Sequence, residues 1–114
     1  MKRRWRFYVT GSGRRVVDEI IDRLSTGDAA EVHAAMRDVR DSGLRIARHL
    51  RGEIYEVRAE GADNSYRILF AAEGKRGRIL LGLHVIEKRT QKTPPRELEL
   101  AERRLADWRR RARR

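Results

Sequence analysis

Hydrophobic residues along this chain repeat with two different periods, and the switch between them marks out the elements. Trp5 to Thr10, WRFYVT, is rich in aromatic and β-branched residues and ends at Gly11-Ser12-Gly13, which predicts a first strand and a turn. Val17, Ile20, Ile21 and Leu24 then recur at helical spacing, predicting a helix over Arg14–Ser25 that closes near Thr26-Gly27. Asp28 with Glu31 three residues on has the form of a capping box and predicts a second helix over Asp28–Asp41. Val32, Ala35, Met36 and Val39 are its apolar stripe, and Gly43 is its stop.

Alternation takes over after that. In Glu53–Glu60, Tyr55, Val57 and Ala59 oppose Glu56, Arg58 and Glu60, the pattern of a strand with one buried and one polar face. A turn over Gly61–Asn64 leads to Ser65–Ala72, where Tyr66, Ile68 and Phe70 oppose Arg67 and Leu69. A second turn around Gly74 and Gly77 leads to Arg78–Ile86, apolar almost throughout, as an internal strand should be. The helical period returns with Leu98, Ala101, Leu105 and Trp108, in a helix opened by a Thr93 cap with Pro94 in its first turn. Arg109 to Arg114 carries no apolar anchor and is expected to fray. The order β-α-α-β-β-β-α predicts an α+β fold: a small antiparallel sheet with helices on one face, two of them N-terminal and one C-terminal, in a single domain over residues 1–114.

Charge changes the picture more than composition does. Both the hydrophobic and the charged fractions are 39%, yet the apolar residues are periodic rather than scattered, so a folded domain with a heavily charged surface is expected. The formal net charge of +11 calls for an anionic partner: nucleic acid, an acidic protein or a membrane surface. No apolar run approaches the ~18 residues that span a bilayer. The start, Met1-Lys2-Arg3-Arg4 and then Trp5-Arg6-Phe7-Tyr8, is too charged for the core of a signal peptide, and a cytoplasmic protein is expected. With no cysteine, thiolate catalysis and thiolate metal sites are excluded. His33, His49 and His84 are far apart, and none has a neighbour at metal-ligand spacing, so no metal or cofactor is expected.

What remains is cations on strands. Arg58 and Arg67 each sit opposite an apolar face, and Lys88 and Arg89 follow the third strand directly. Three neighbouring strands would therefore bring four permanent charges to one solvent-facing side of the sheet. Arg67 is expected there, where its removal costs little stability. Arg58 could equally pair with Glu56 or Glu60, and Lys88 and Arg89 could be a solvated strand exit. His84, inside an apolar strand, is more often a satisfied core histidine. The cluster His84, Lys88, Arg89, Gln91 and Lys92 lies where a buried strand meets a helix start, which favours a phosphate. RNA cleavage needs little more if the RNA's own 2′-hydroxyl is the nucleophile: alignment, charge neutralisation at phosphorus and a proton for the leaving 5′-oxygen.

Three segments resemble the phage-derived, HigB-like branch of the RelE/ParE toxin superfamily. The family's L-W-E-L-R strand appears as Ile54-Tyr55-Glu56-Val57-Arg58, and its Y-R-I-L-F strand as Tyr66-Arg67-Ile68-Leu69-Phe70. Its L-H-G-F-x-K-K-T-Q-K-T-P segment appears as Leu83-His84-Val85-Ile86-Glu87-Lys88-Arg89-Thr90-Gln91-Lys92-Thr93-Pro94. The resemblance runs from about Arg51 to Trp108. It implies a RelE-like fold and the toxin of a type II toxin–antitoxin system, a ribosome-dependent, metal-independent mRNA endoribonuclease. Its partners would be mRNA, the ribosome and a HigA-like helix-turn-helix antitoxin, with no membrane. Carried over, the resemblance makes Arg67, Lys88 and Arg89 catalytic, and Arg58, Lys92 and His84 RNA-binding. Two departures bear on catalysis: Val85-Ile86 replaces the family's Gly-Phe, removing an aromatic that could stack on a base, and Arg89 replaces a lysine. The alternative implied by the first is a basic RNA- or ribosome-binding module without cleavage.

Overall fold

The computed structural model describes residues 2–112. Strand β1 (Arg4–Phe7) is followed by α1 (Val16–Asp22) and α2 (Thr26–Ser42), then by β2 (Arg48–Arg51), β3 (Ile54–Glu60), β4 (Ser65–Glu73), β5 (Ile79–Glu87) and α3 (Pro95–Ala112). The five strands form one sheet in the order β1-β5-β4-β3-β2. The α+β class and the three central strands follow the alternation of the sequence. Two features depart from it. β1 pairs parallel to β5, so the sheet is mixed rather than antiparallel. An extra edge strand, β2, pairs with β3. Its sequence, Arg-His-Leu-Arg, carries no buried face, and edge strands are often built from such charged residues.

The helices lie on both faces of the sheet, not on one. Along β4 successive side chains point to opposite faces. Tyr66 and Phe70 point towards the N-terminal helices. The Tyr66 hydroxyl donates to Asp28 Oδ2 of α2 at 2.8 Å, and Phe70 meets Trp5, whose indole N–H donates to the Met36 carbonyl. Arg67 and Leu69 point the other way, towards α3 and the segment that leads into it. A bulge in the β4–β5 ladder decides what else lies there: Leu69 pairs with His84 but Phe70 pairs with Gly82, leaving Leu83 as the extra residue. The bulge turns His84 to the α3 face beside Leu69. Leu98, Ala101 and Leu105 of α3 are buried against that face, as their spacing predicted.

Helix ends also differ from expectation. Ser25, not Asp28, caps α2: its Oγ accepts from the Asp28 backbone N–H at 3.1 Å. That frees the Asp28 carboxylate, 1% exposed, to accept from Tyr66 and from the Asp63 backbone N–H, which ties α2 to the β3–β4 turn. Gly43 ends α2 with φ of 84°, as its position suggested. Thr93 does not cap α3, because its hydroxyl donates to Glu56 Oε1 instead; the helix starts at Pro95. Residues 109–112 do not fray. They are the last turn of α3, where Arg109 bridges Glu53 and Glu73 and Arg111 reaches Asp107 and the Val9 carbonyl. The rest of the basic tail, Arg113 and Arg114, lies outside the described residues.

The junction at Asp28 predicts a mutational cost. A Cβ on Gly61 would collide with the Asp28 carboxylate and lie 2.7 Å from the Asn64 carbonyl oxygen, which is backbone and cannot swing away. Gly61→Ala is therefore expected to lose about 1–3 kcal/mol of unfolding free energy in a denaturant titration.

Candidate functional site

Burying a guanidinium in a sheet is costly unless its charge and its N–H groups are met. Arg67 is 1% exposed, so it is not on a solvated face as its alternation suggested. Its partner is Glu56, 2% exposed, with Arg67 Nε 3.3 Å from Glu56 Oε1. The angle there is too poor for a hydrogen bond, leaving Nε as a buried donor with no acceptor. The contact is best described as a close ion pair. The remaining grip is on the chain beyond β5: Nη2 donates to the carbonyls of Thr90 and Gln91, both at 2.7 Å. Polarity misled the sequence reading because the face that alternation assigns to solvent is roofed by residues 88–94 and α3.

Glu56 gathers the neighbouring groups. It accepts from the Thr93 hydroxyl at 3.0 Å and lies 3.7 Å from Arg58 Nε. Arg58 and Arg67 are direct cross-strand partners, so two like charges face each other with this carboxylate between them. The four cations expected on one open face are therefore not equivalent. Arg67 is internal, Arg58 is half neutralised, and Lys88 and Arg89 stand at the rim. Lys88 extends the ladder past β5 through its backbone N–H to the Ser65 carbonyl. Arg89 is exposed and pairs with Glu87 at 3.1 Å. Lys92 is exposed, and its carbonyl accepts from the Thr90 hydroxyl at 2.6 Å.

Between β5, the 88–94 segment and the start of α3 lies an open depression of about 450 Å³, lined among others by Arg67, His84, Ile86, Arg89, Arg96 and Glu97. Three arginines thus converge on one hollow. Of the residues predicted for the site, it brings together Arg67, His84 and Arg89. Arg58, Lys88 and Lys92 are not in its lining, although Lys88 and Arg89 border a second, shallower hollow with Ser65, Thr90 and Gln91. Ile86 occupies the wall here.

His84 is more than a core histidine. Its Nε2 contacts Glu97 Oε2 on the first turn of α3. On the other side, Arg104 Nη1 donates to the Leu83 carbonyl at 2.8 Å and stands 3.5 Å from Nδ1. A cation with only N–H groups at Nδ1 leaves the ring proton on Nε2, so His84 donates to Glu97. Burial pushes the imidazole pKa down; Glu97 works against that shift, and the nearby Arg104 charge adds to it. The ring is therefore held neutral at ordinary pH.

Sequence reasoning missed Glu97, Arg96 and Arg104. All three look like ordinary solvated positions of an amphipathic helix, and only the docking of α3 on the β5 face brings Glu97 and Arg104 to His84 and Arg96 to the hollow. Glu56 was visible inside the resembling strand but passed for a surface charge. Among the described residues no group of acidic or histidine side chains could hold a metal ion.

Residues 19–106 match the model of the family described as Phage derived protein Gp49-like (DUF891). The match takes in most of the chain, so the chain belongs to this family, which is part of the RelE/ParE-like toxin superfamily. No curated protein matches the chain.

Two stability measurements follow from this geometry. Arg67→Ala should strip Glu56 of its buried counter-charge and release the 88–94 segment, a loss of about 3–5 kcal/mol in chemical denaturation. Arg89→Ala, at a side chain 79% exposed, should change stability by no more than about 0.5 kcal/mol. His84 sets a pH dependence. Its folded pKa lies below the ordinary 6.5, so the unfolded chain takes up the proton first as pH falls. The stability present above pH 6.5 is lost as pH drops through the folded value, and His84→Gln should show a shallower loss over that interval.

Proposed function

We propose that this member of the Gp49-like family is the toxin of a type II toxin–antitoxin pair, of the HigB-like branch, and that it cuts mRNA on the ribosome. Residues 1–114 act as one domain, in the cytoplasm. The observation that carries this reading is the hollow at the junction of β5 and α3, where Arg67, Arg89 and Arg96 converge. A phosphate entering it meets the Arg89 and Arg96 side chains over the buried charge of Arg67, and the N-terminal end of an 18-residue helix, whose dipole adds positive potential. The hollow is open and shallow enough for a polymer to lie across it.

The chemistry asked of these residues is modest. A ribonuclease that uses the 2′-hydroxyl as nucleophile must align it with phosphorus and stabilise the extra negative charge of the pentavalent state. Arginines suit the second task because their fork matches phosphate oxygens and their charge is permanent. Arg89, at the rim, is held only by an exposed pair with Glu87, which it can exchange for a phosphate. Arg67 acts from below: it contributes its field and fixes the carbonyls of Thr90 and Gln91, so the cationic segment keeps its shape. Lys88, which borders the neighbouring hollow, and Lys92 and Arg58, which lie outside both linings, guide the RNA strand by charge. The fit between a +11 chain and its antitoxin requires acidic surface on the partner, a HigA-like helix-turn-helix protein that either covers the cationic hollow or docks on α1 and α2.

One observation favours a second reading, in which the protein binds RNA or the ribosome without cutting. Ile86 lines the hollow where an aromatic side chain could have stacked on a base. Expression of the chain without its antitoxin decides between the two. Growth arrest with transcripts newly cut within codons supports the nuclease, and arrest without new mRNA ends supports the binding module. Normal growth with intact transcripts, at verified protein levels, removes the toxin reading altogether. Arg89→Ala, which leaves the fold intact, should slow cleavage roughly a hundredfold or more.

A further inference from the structure

Two carboxylates line the hollow, and they are not alike. Glu87 stands at the exposed end of β5 and is engaged by Arg89. Glu97 rises from the first turn of α3 with its side chain 28% exposed, and one of its oxygens, Oε2, is held by His84. Its other oxygen, Oε1, makes no hydrogen bond among the described residues. A carboxylate with one oxygen fixed and one open, in a hollow that Arg89 and Arg96 line above the buried Arg67, is arranged to accept a proton from an anion's hydroxyl held there.

The positioning apparatus is specific. Arg104 sets the tautomer from the Nδ1 side, and Nε2–H then points at Glu97. The bulge that leaves Leu83 unpaired is what turns His84 to this face. Without these contacts Glu97 would be a flexible surface residue near the start of a helix.

We propose that Glu97 is the general base of the reaction, taking the proton of the RNA 2′-hydroxyl on Oε1, with His84 as its positioning residue; this rests on the ribonuclease reading. The 2′-oxygen forms a bond to phosphorus as the bond from phosphorus to the 5′-oxygen breaks. The 2′-hydroxyl proton passes to Glu97, and the leaving 5′-oxygen takes a proton from solvent water. The products are a 2′,3′-cyclic phosphate and a 5′-hydroxyl end. Arg67, Arg89 and Arg96 offset the charge gained at the phosphate, and Glu97 returns its proton to solvent.

The test uses the purified full chain and ribosomes programmed with a short mRNA, with single-turnover cleavage as the readout. Glu97→Gln can still accept from His84, so it should fold and should bind mRNA carrying a 2′-deoxynucleotide at the cut site as the wild type does. Its cleavage should be about a hundredfold slower or worse. Glu97→Asp keeps a carboxylate and should be faster than Glu97→Gln. His84→Ala should lower the single-turnover rate at saturation with the half-saturating concentration unchanged, and His84→Gln, whose amide can still donate to Glu97, should recover part of the loss. Wild-type rates in Glu97→Gln, or equal losses in the Gln and Asp variants, would overturn the assignment while leaving the ribonuclease reading standing. A wild-type chain that produces no cleavage on these ribosomes would instead remove that reading, and the base with it.

Discussion

The buried cation of Arg67 is the constraint on which the cationic side of this molecule depends. A guanidinium at 1% exposure needs a counter-charge and acceptors, and each demand is met by a different part of the chain. Glu56 on the adjacent strand supplies the charge, and the carbonyls of Thr90 and Gln91 supply the acceptors. The chain leaving β5 is therefore folded back over the sheet rather than projected into solvent. Thr93 is drawn in by the same carboxylate, and α3 then starts where its first turn can reach His84. One ion pair thus links β3, β4, the 88–94 segment and the placement of the last helix.

Much of the fold was legible because it rests on alternation and helical spacing, which are local. Tyr55, Val57 and Ala59 against Glu56, Arg58 and Glu60 gave β3 correctly, and Leu98, Ala101 and Leu105 gave the buried stripe of α3. Polarity gave the wrong depth for Arg67 and Glu56. Alternation tells which residues share a face but not whether that face meets water, and here α3 covers it. Arg109 misled in the same way: a run of arginines looks unanchored, yet Glu53 and Glu73 hold it from 56 and 36 residues away. The position of β1 was hidden too, since nothing in WRFYVT specifies a parallel partner more than seventy residues later.

The candidate site was half legible for a related reason. Cations at a strand exit can be read from sequence, and Arg67, His84 and Arg89 do meet in one hollow. Carboxylates on an amphipathic helix look alike until tertiary packing distinguishes one, and Glu97 is distinguished from Glu99 and Glu102 only by facing His84. Cations were also less free than the count of 28 lysines and arginines suggests. Arg14, Arg15, Arg40, Arg51, Arg109 and Arg111 are each paired with a carboxylate within 4 Å. The cations left to attract an anion are thus concentrated at fewer places than composition implies.

The parallel pairing of β1 with β5 bears on how the chain comes into being. Phe7 meets Gly82, and Tyr8 donates to Asp107, so segments as much as 99 residues apart complete one structure. During synthesis at roughly 5–20 residues per second, the 71 residues between Phe7 and Ile79 take about 4–14 s to make. Throughout that interval β1 has no strand to pair with, and the hollow beside α3 does not yet exist. The hollow, and whatever activity belongs to it, therefore forms only after the start of α3 has been made and has docked beside β5.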